Sequence, residues 1–366
     1  MKVVFLMDQL YLHGGAERIL SQKINYLISH FHYEVHLITS EQHGNKAVYD
    51  LHPELHWHDL QINYERGKSY FSAVNLVKVA RHFFKLRKAI GQIKPDVITS
   101  VSYSPDQYFL PYLHKKIPKF REFHFSRYSY EPMGLHAKLE KTYEKYAAIV
   151  VLNKDEKPFF PKHNTVVVIP NFTTFKPGPI TAKQKTIIAA GRIAPVKQFD
   201  KLIAIWSRLA KTFPDWQLKI FGDGDPDMRG ALQRQIAALN IEENTHLLAA
   251  TDQIHAEMQN AAIYAMTSAN ECFPMVLLEA QACGLPIISY DCPTGPRNIV
   301  SDGKDGILVP YDDESAFVKN LEKLLSDADL RGSMGKQAQV SVARFSQQAV
   351  MEQWRQLIQN NVKDGI

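Results

Sequence analysis

Strand-like and helix-like segments alternate along almost the entire chain, and this alternation limits the possible folds more than any other feature. Short β-rich apolar runs alternate with longer stretches of helical periodicity, as in parallel sheets covered by helices on both faces. In the first half the predicted strands are residues 2–7, 34–39, 54–58, 96–101, 120–125, 147–152 and 166–169, and the predicted helices are 15–30, 72–90, 106–115 and 136–146. The pattern predicts an α/β protein.

A proline-rich segment at residues 170–179 suits neither a strand nor a helix, so we predict that it links two domains. The second series has predicted strands at 186–190, 217–221, 245–248, 263–267, 286–289 and 306–309, and predicted helices at 199–211, 227–239, 274–283, 314–326, 330–343 and 347–360. We therefore expect two doubly wound, Rossmann-like domains, residues 1–171 and 172–346. Ligands of such sheets bind at the carboxyl ends of the strands, and a cleft between two such domains suits two substrates.

Composition excludes several classes of protein. With 45% apolar and 22% charged residues the chain can bury a core, and its longest apolar runs are the length of a strand, which excludes a bilayer-spanning protein. The apolar start is too short for a signal peptide, which favours a cytoplasmic protein. Three cysteines without a C-x-x-C pair predict buried thiols and neither a disulfide framework nor a zinc site.

Two glycine-containing loops follow predicted strands. Gly14 and Gly15 end the first loop as a helix begins, where backbone N–H groups favour a phosphate or a sugar; a simple turn is the alternative. This loop lacks the G-x-G-x-x-G pattern, which disfavours a nicotinamide cofactor. In the second domain, Gly191 precedes Arg192 and Lys197, two cations five residues apart that either clamp a diphosphate or are solvated at a helix start.

A third motif combines two glutamates with a helix start. Glu271 lies in a loop after a predicted strand, and Glu279 lies inside the apolar helix that follows. A buried carboxylate is costly without a partner, so Glu279 either accepts hydrogen bonds from ligand hydroxyls or pairs with a protein group. The helix start, whose N–H groups could hold phosphates, comprises Phe273, Pro274, Met275 and Val276.

Taken together, these motifs resemble the family-4 retaining glycosyltransferases of the GT-B fold. Glu271 and Glu279 form E-x7-E, a weak pattern by itself, but the other motifs occur in the right order over nearly the whole chain. They are Gly14-Gly15, Ile169-Pro170-Asn171, Gly191-Arg192 with Lys197, Phe221-Gly222-Asp223-Gly224, Cys283-Gly284-Leu285-Pro286 and Asp305-Gly306-Ile307-Leu308-Val309-Pro310.

The resemblance implies a role for each matching residue. Arg192 and Lys197 would bind the diphosphate of a nucleotide sugar, Glu271 the hydroxyls of its sugar, and Glu279 its ribose. Gly15 would lend its backbone near the β-phosphate and the acceptor. His124 would sit beside the transferred sugar, although a structural histidine is the alternative. The remaining donor-binding positions are Gly191, Gly222, Phe273, Pro274, Met275 and Val276.

The resemblance also implies a fold and a reaction. The two domains would face each other across a cleft, and residues 347–366 would cross back onto the first domain. No metal or cofactor is expected, and the D-x-D pattern of Asp223 and Asp225 is attributed to a loop bordering the nucleotide. The predicted reaction moves a hexose or N-acetylhexosamine from a UDP-sugar to a hydroxyl of a glycan or lipid-linked acceptor, with retention of configuration. The alternatives are a nucleotide-sugar epimerase and a non-catalytic nucleotide-sugar or glycan-binding protein.

One position departs from the family pattern. In Gly295-Pro296-Arg297-Asn298-Ile299-Val300 an asparagine stands where the family commonly has a glutamate, which leaves donor specificity open. The preceding segment 291–296 resembles members that use UDP-hexoses or UDP-N-acetylhexosamines to build lipid-linked or surface glycans.

The predicted helix 72–90 has a basic stripe. Lys78, Arg81, Lys85 and Lys88 share one side, and the apolar residues predicted to lie opposite are Leu76, Val79, Ala80, Phe83 and Ile90. Such a helix either contacts an anionic membrane surface, here the inner face, or packs on the core with a solvated outer side. No motif indicates nucleic-acid binding.

Overall fold

The computed structural model describes residues 1–128, 130, 134–163, 165–178 and 183–363. The chain divides into two compact units, one formed by Met1–Pro170 with Val350–Ile366 and the other by Asn171–Ala349. The boundary falls at the start of the predicted linker, of which residue 179 lies outside the described residues. Each unit has its own parallel sheet.

The first unit has a seven-stranded sheet whose strands are largely buried. Its strands are β1 (Lys2–Met7), β2 (Glu34–Thr39), β3 (His56–Asp59), β4 (Val97–Ser100), β5 (Lys119–Glu122), β6 (Ala148–Val151) and β7 (Val166–Val168). Its helices are α1 (Gly15–Phe31), α2 (Ala73–Ile93), α3 (Asp106–Phe109), α4 (Gly134–Glu140) and, from Val350 onward, α11 (Gln347–Lys363).

The second unit has a six-stranded sheet, and its core contains the buried tryptophans Trp206 and Trp216. The strands are β8 (Thr186–Ala190), β9 (Gln217–Phe221), β10 (Thr245–Leu248), β11 (Ile263–Met266), β12 (Ile287–Tyr290) and β13 (Gly306–Val309). The helices are α5 (Phe199–Ser207), α6 (Pro226–Ala238), α7 (Ile254–Asn260), α8 (Met275–Ala282), α9 (Glu314–Ser326) and α10 (Ala328–Val342).

Apart from shifts of up to four residues at helix ends, the helices differ from the sequence prediction in three places. The helix predicted over 106–115 is reduced to α3 and a 3-10 turn at Leu110–Tyr112, because Pro111 cannot continue an α-helix. The helix predicted over 136–146 is α4 followed by a 3-10 segment, Lys141–Lys145. Helix α7 was not predicted, since only seven residues form it and only Met258 among them is buried.

Strand order determines which loops are neighbours. In the first sheet the order is β3-β2-β1-β4-β5-β6-β7, and in the second it is β10-β9-β8-β11-β12-β13. In both sheets the direction in which successive strands are added therefore reverses next to the first strand. In such sheets ligands bind at this switch point, outside the carboxyl ends of the strands. The switch points lie between β1 and β4 and between β8 and β11.

Candidate active site

The second switch point brings Lys197 and Glu271 together. Lys197 follows β8 and Glu271 follows β11, and these strands are paired. Lys197 Nζ lies 2.5 Å from Glu271 Oε1, with the two side chains 21% and 15% exposed. Two hydrogen bonds tie the loops together, because Ala269 N donates to Val196 O and the Thr267 hydroxyl donates to Gln198 O. The predicted cation and the predicted carboxylate thus form one site.

Arg192 lies on the same loop as Lys197, two residues after β8. It is exposed, and within the described part of the chain its side chain makes no hydrogen bond or ion pair. The neighbouring backbone is fixed, because Gly191 N donates to Phe221 O and Ile193 N donates to Asp223 O. The hydrogen-bonded backbone on either side of Arg192 therefore holds this exposed guanidinium group in place at the end of β8.

Gly222 allows the loops after β8 and β9 to approach each other. A Cβ at this position would lie 1.9 Å from Gly191 O, which no substitution can accommodate without moving the backbone. The predicted donor-binding glycines Gly191 and Gly222 are thus in contact, and the need for Gly222 is a steric one.

Glu279 lies in α8 and is 4% exposed. Burial raises the pKa of Tyr264, and the charges of Glu279 and Glu271 add to that rise, so both carboxylates act on the same phenol. The Tyr264 hydroxyl is held by the backbone of Ala190 at the end of β8. Helix α8 begins after Pro274, and Phe273, Pro274, Met275 and Val276 lead from Glu271 into its first turn. Both glutamates of the E-x7-E motif therefore belong to this region.

The loop after β12 positions Glu271, a contact that the sequence analysis did not predict. Glu271 N donates to Pro293 O at 2.9 Å, and Thr294 N donates to Glu271 O at 2.9 Å. A Cβ on Gly295 would lie 2.8 Å from Glu271 O and 2.6 Å from Pro274 Cδ. Asn298, the departure from the family pattern, donates from Nδ2 to Thr294 O at 2.5 Å and so stabilises the loop that holds Glu271. The Gly-Pro pair was the available sequence signal for this close packing.

In the first unit, His124 belongs to a buried charge network. His124 Nε2 lies 3.0 Å from Glu122 Oε1, and Lys23 Nζ lies 2.6 Å from the same oxygen. Burial alone would raise the pKa of Glu122, but Lys23 and His124 lower it to about 2. Lys23 also lies 3.8 Å from the ring centroid of Trp354 in α11. This network fixes the His124 ring at the end of β5, and its predicted role beside a transferred sugar stays a prediction.

A second polar network lies at the switch point of the first sheet and was missed by sequence reasoning. Arg66 bonds Asp8, which follows β1, at 3.0 Å and Glu41, which follows β2, at 2.8 Å. The Ser102 hydroxyl contacts carboxylate oxygens of both Asp8 and Asp106. One hydroxyl has one proton, so one of these two carboxyls must itself donate. Burial and the charge of Asp8 raise the pKa of Asp106 to about 7, so Asp106 is the more easily protonated of the two carboxyls.

Gly15 is the first residue of α1, directly after the loop that contains Asp8. A Cβ at Gly15 would meet no atom within 4 Å, so open space lies beside the helix start. Glu17 in the first turn accepts a hydrogen bond from Gln9 Nε2 at 2.8 Å, and Gln9 in turn accepts from Tyr11 N. The loop before α1 is thus organised by its own side chains and leaves the Gly15 backbone accessible.

Comparison with known proteins identifies the family. Residues 171–341 match the family model described as glycosyl transferases group 1. The chain is also similar to an uncharacterized glycosyltransferase of Haemophilus influenzae, with 27% identity over 371 residues, covering 98% of this chain and 99% of the relative. The chain is a glycosyltransferase of the GT-B fold, and its residues 171–341 belong to the group 1 family. The resemblance predicted from its motifs is confirmed.

Two further comparisons extend along this glycosyltransferase. It is 25% identical over 365 residues, 98% of each chain, to GalNAc-alpha-(1->4)-GalNAc-alpha-(1->3)-diNAcBac-PP-undecaprenol alpha-1,4-N-acetyl-D-galactosaminyltransferase of Campylobacter jejuni. Its fold matches S. aureus TarM, solved with fondaparinux, alpha-GlcNAc-glycerol and UDP, with a TM-score of 0.78, 13% identity, and coverage of 98% and 99% of the two chains. Two other relatives align with about half of this chain, which spans less than half of their length.

The basic helix of the glycosyltransferase differs from its prediction. Lys78 and Lys85 are not part of an outward stripe, because their ammonium groups donate to backbone oxygens of Asn63 and Leu60 at 2.7 and 2.6 Å. Leu76 and Ala80, predicted to face the core, are exposed, whereas Ile90 is buried, and Val79 and Phe83 are half-buried. The outward face of α2 instead carries Val77, Arg81, Phe84 and Lys88. The sequence rule placed all cations outward, but two of them reach back to cap loop carbonyls.

Other sequence predictions concern metals, cysteines and membranes. Asp223 accepts from Ala250 N and Asp225 caps α6, so both carboxylates of the D-x-D pattern have structural roles. Cys272, Cys283 and Cys292 are buried and unpaired with one another, as predicted. Across the described residues, no helix is both long and apolar enough to cross a bilayer.

Proposed function

We propose that this glycosyltransferase transfers a hexose or N-acetylhexosamine from a UDP-sugar to a hydroxyl of a glycan or lipid-linked acceptor, with retention of anomeric configuration. The observation that carries the proposal is the Lys197–Glu271 ion pair at the switch point between β8 and β11. Exposed Arg192 lies on the same loop, and buried Glu279 lies on the helix that starts beside Glu271. Cations and carboxylates at one strand edge suit a ligand with both a diphosphate and hydroxyl groups.

Each half of the ion pair has a use with such a donor. A diphosphate oxygen competes with Glu271 for Lys197, and a carboxylate released from its ammonium partner accepts hydrogen bonds from sugar hydroxyls. Glu279, in the apolar helix α8, would accept from the ribose hydroxyls. Support for UDP as the nucleotide comes from TarM, which is described in complex with UDP.

The catalytic contribution of the cations follows from charge development. As the glycosidic bond to the donor phosphate breaks, negative charge grows on the departing diphosphate. Arg192 and Lys197 stabilise this charge more in the transition state than in the ground state, which is the condition for rate acceleration. These two side chains supply the positive charge, and we propose that no metal ion is required; EDTA should then leave the turnover rate unchanged.

Retention is assigned to attack from the face that the diphosphate leaves. The acceptor oxygen forms the new bond to the anomeric carbon, the bond to the phosphate oxygen breaks, and that phosphate oxygen takes the acceptor proton. His124, oriented by Glu122, would hold the transferred sugar during this step. The α-linkage in the name of the Campylobacter relative agrees with retention from an α-linked donor.

We place the acceptor against the first unit, in a cavity of about 280 Å³ at the carboxyl ends of β4 and β5. The Arg127–Glu140 ion pair, at 2.7 Å, adds charged hydrogen-bonding groups to it. Its aromatic side chains offer flat faces for sugar rings or an isoprenoid chain. They are Tyr70, Tyr103, Tyr108, Phe123, Phe125, Tyr130 and Tyr143.

The outward face of α2 suits contact with an anionic lipid surface. Val77 and Phe84 are 71% and 66% exposed, and Arg81 and Lys88 alternate with them at helical spacing. No acidic residue occurs between Ala73 and Ile93. Apolar side chains that insert between headgroups, flanked by cations, are the features of a helix that lies on an anionic membrane. Such contact would bring the enzyme to a lipid-linked acceptor.

The donor and the reaction are tested together by incubating the enzyme with UDP-sugars and a panel of glycan and lipid-linked acceptors. We expect UDP release that depends on the acceptor, and a product whose new linkage has the anomeric configuration of the donor by NMR. Interconversion of nucleotide sugars without transfer would instead indicate an epimerase. Binding of UDP-sugar without turnover on any acceptor would indicate a binding protein.

The membrane contact is tested by sedimentation with phosphatidylcholine vesicles, with and without phosphatidylglycerol. We expect the parent enzyme to sediment with the anionic vesicles and the double variant Val77→Ser/Phe84→Ser to stay in the supernatant. Val340→Ser is the matched control, because Val340 is also 66% exposed but lies on α10 of the second unit. Equal sedimentation of all three proteins, or no sedimentation of the parent, would refute the contact.

A further inference from the structure

A cluster of histidines lies at the edge of the first sheet and contains no residue of the transferase motifs. Strand β3 is the edge strand and pairs in parallel with β2, so that His36 is opposite His56. Glu34 is two residues before His36 and therefore points to the same face of the sheet. The cluster sits near the amino ends of β2 and β3, whereas the transferase residues follow the carboxyl ends of strands. Nothing in the proposed transfer reaction uses it.

The distances within the cluster suit coordination of one ion. One ligand atom from each of Glu34, His36 and His56 lies within 4.8 Å of the other two. His36 Nε2 is 3.0 Å from Glu34 Oε1, and the ring centroids of His36 and His56 are 4.6 Å apart. Ligands about 2.1 Å from a tetrahedral zinc ion are about 3.4 Å from each other, so His36 and Glu34 are already close to ligand spacing. His56 needs only a side-chain adjustment, and it is exposed and free to make it.

His58 provides the supporting contact that metal-binding histidines usually have. His36 Nδ1 lies 3.1 Å from His58 Nε2. When the Nδ1–H of His36 donates to His58, the Nε2 of His36 keeps its lone pair toward Glu34 and His56. Such an outer hydrogen bond fixes both the ring orientation and the tautomer of a histidine ligand. His36 itself is buried, which holds the central ligand in place.

The ligand types select the class of ion. Two imidazoles and one carboxylate suit zinc and similar divalent transition metals, whereas Ca²⁺ and Mg²⁺ prefer oxygen ligands alone. Lys2 opposes binding, because its Nζ lies 3.0 Å from Glu34 Oε1, the same oxygen that faces His36. A metal ion must displace this ammonium group, so the affinity should depend on Lys2.

We propose that Glu34, His36 and His56 bind one divalent transition-metal ion of the zinc class, with His58 as a positioning residue and Lys2 as a competitor. The ion would join the edge strand β3 to β2 and stabilise the first unit, since a ligand that binds only the folded state raises its stability. The transfer reaction would not depend on it.

The test is titration of the full chain, purified without a histidine tag and treated with EDTA, with zinc chloride by calorimetry. We expect one equivalent to bind and the melting temperature to rise, and cobalt chloride to give the visible absorption of a four- or five-coordinate ion. His56→Gln should weaken zinc binding by about tenfold or more. Lys2→Gln should tighten it, because it removes only the competing charge. Neither substitution should alter the circular dichroism spectrum of the metal-free protein.

His30→Gln is the control, because His30 is an exposed histidine of the same unit that stacks on Tyr26. It should bind zinc as the parent does. Absence of zinc binding by the parent would overturn the proposal. Equal affinity of the parent and His56→Gln, or weaker binding by Lys2→Gln, would also overturn it.

Discussion

The substitution Lys197→Ala tests the role of the ion pair most sharply. Two unit charges about 4 Å apart interact by about 4 kcal/mol at an effective dielectric constant of about 20. The Lys197 side chain is 21% exposed, so most but not all of this interaction with the departing diphosphate should be realised. We expect the barrier to rise by about 3 kcal/mol, which lowers kcat by about 100-fold or more.

The same substitution should change stability little. A partly exposed ion pair contributes about 0 to 1 kcal/mol, so the melting temperature should fall by no more than about 4 °C. Lys201→Ala is the matched control, because Lys201 forms an ion pair with Asp312 in the same unit. It should keep the parent kcat, which would show that loss of an ion pair does not by itself impair turnover.

A double-mutant cycle separates the two possible roles of Lys197. If Lys197 acts on the diphosphate, Lys197→Ala should still reduce kcat of the Glu271→Gln enzyme. If it only positions Glu271, the double variant should be no slower than Glu271→Gln alone. Steady-state kinetics with saturating donor measures this difference. Near-normal turnover of Lys197→Ala, or no further loss in the Glu271→Gln background, would refute the reasoning.

Two other predictions follow from the contacts of the two switch points. Gly295→Ala places a Cβ 2.8 Å from Glu271 O, so it should misplace Glu271 and lower kcat/KM by about tenfold or more. Gly332→Ala is the control and should leave kcat/KM unchanged, because a Cβ at Gly332 meets nothing within 4 Å. Equal kinetics of the two variants would contradict this prediction. Burial and Asp8 raise the pKa of Asp106 to about 7, above its ordinary value. As the pH rises, the Asp106 carboxyl therefore ionises in the unfolded chain before it ionises in the folded protein, and the stability of the parent falls between about pH 4 and pH 7. Calorimetry should therefore show that the melting temperature of Asp106→Asn minus that of the parent increases by about 4 °C or more from pH 5 to pH 8. If this difference in melting temperature is the same at both pH values, Asp106 is ionised in the folded protein.

The alternation of apolar strands and amphipathic helices was sufficient to predict both sheets. Strands β1, β2, β8, β9, β10 and β13 have the predicted bounds, because buried parallel strands are short runs of β-branched residues between polar turns. The proximity of Lys197 and Glu271 could be anticipated, since both follow strands that a doubly wound order places side by side. Their ion pair itself required the structure, because spacing alone left Lys197 either solvated or bound to a ligand.

Contacts between distant loops could not be read from the sequence. Arg66 lies in a polar loop with no distinguishing pattern, yet it bonds carboxylates that follow two different strands. Lys78 and Lys85 matched an exposed stripe by periodicity, but each reaches a carbonyl oxygen of the segment before α2. Long flexible side chains can satisfy either solvent or a backbone group, and helical spacing does not distinguish these outcomes.

The central claim is that the loops after β8 and β11 receive the diphosphate of a nucleotide sugar. A crystal structure of the enzyme with UDP tests it most directly. The account predicts diphosphate oxygens within hydrogen-bond distance of Arg192 and Lys197, and ribose hydroxyls on Glu279. A diphosphate bound elsewhere, with Lys197 and Glu271 still paired, would contradict it.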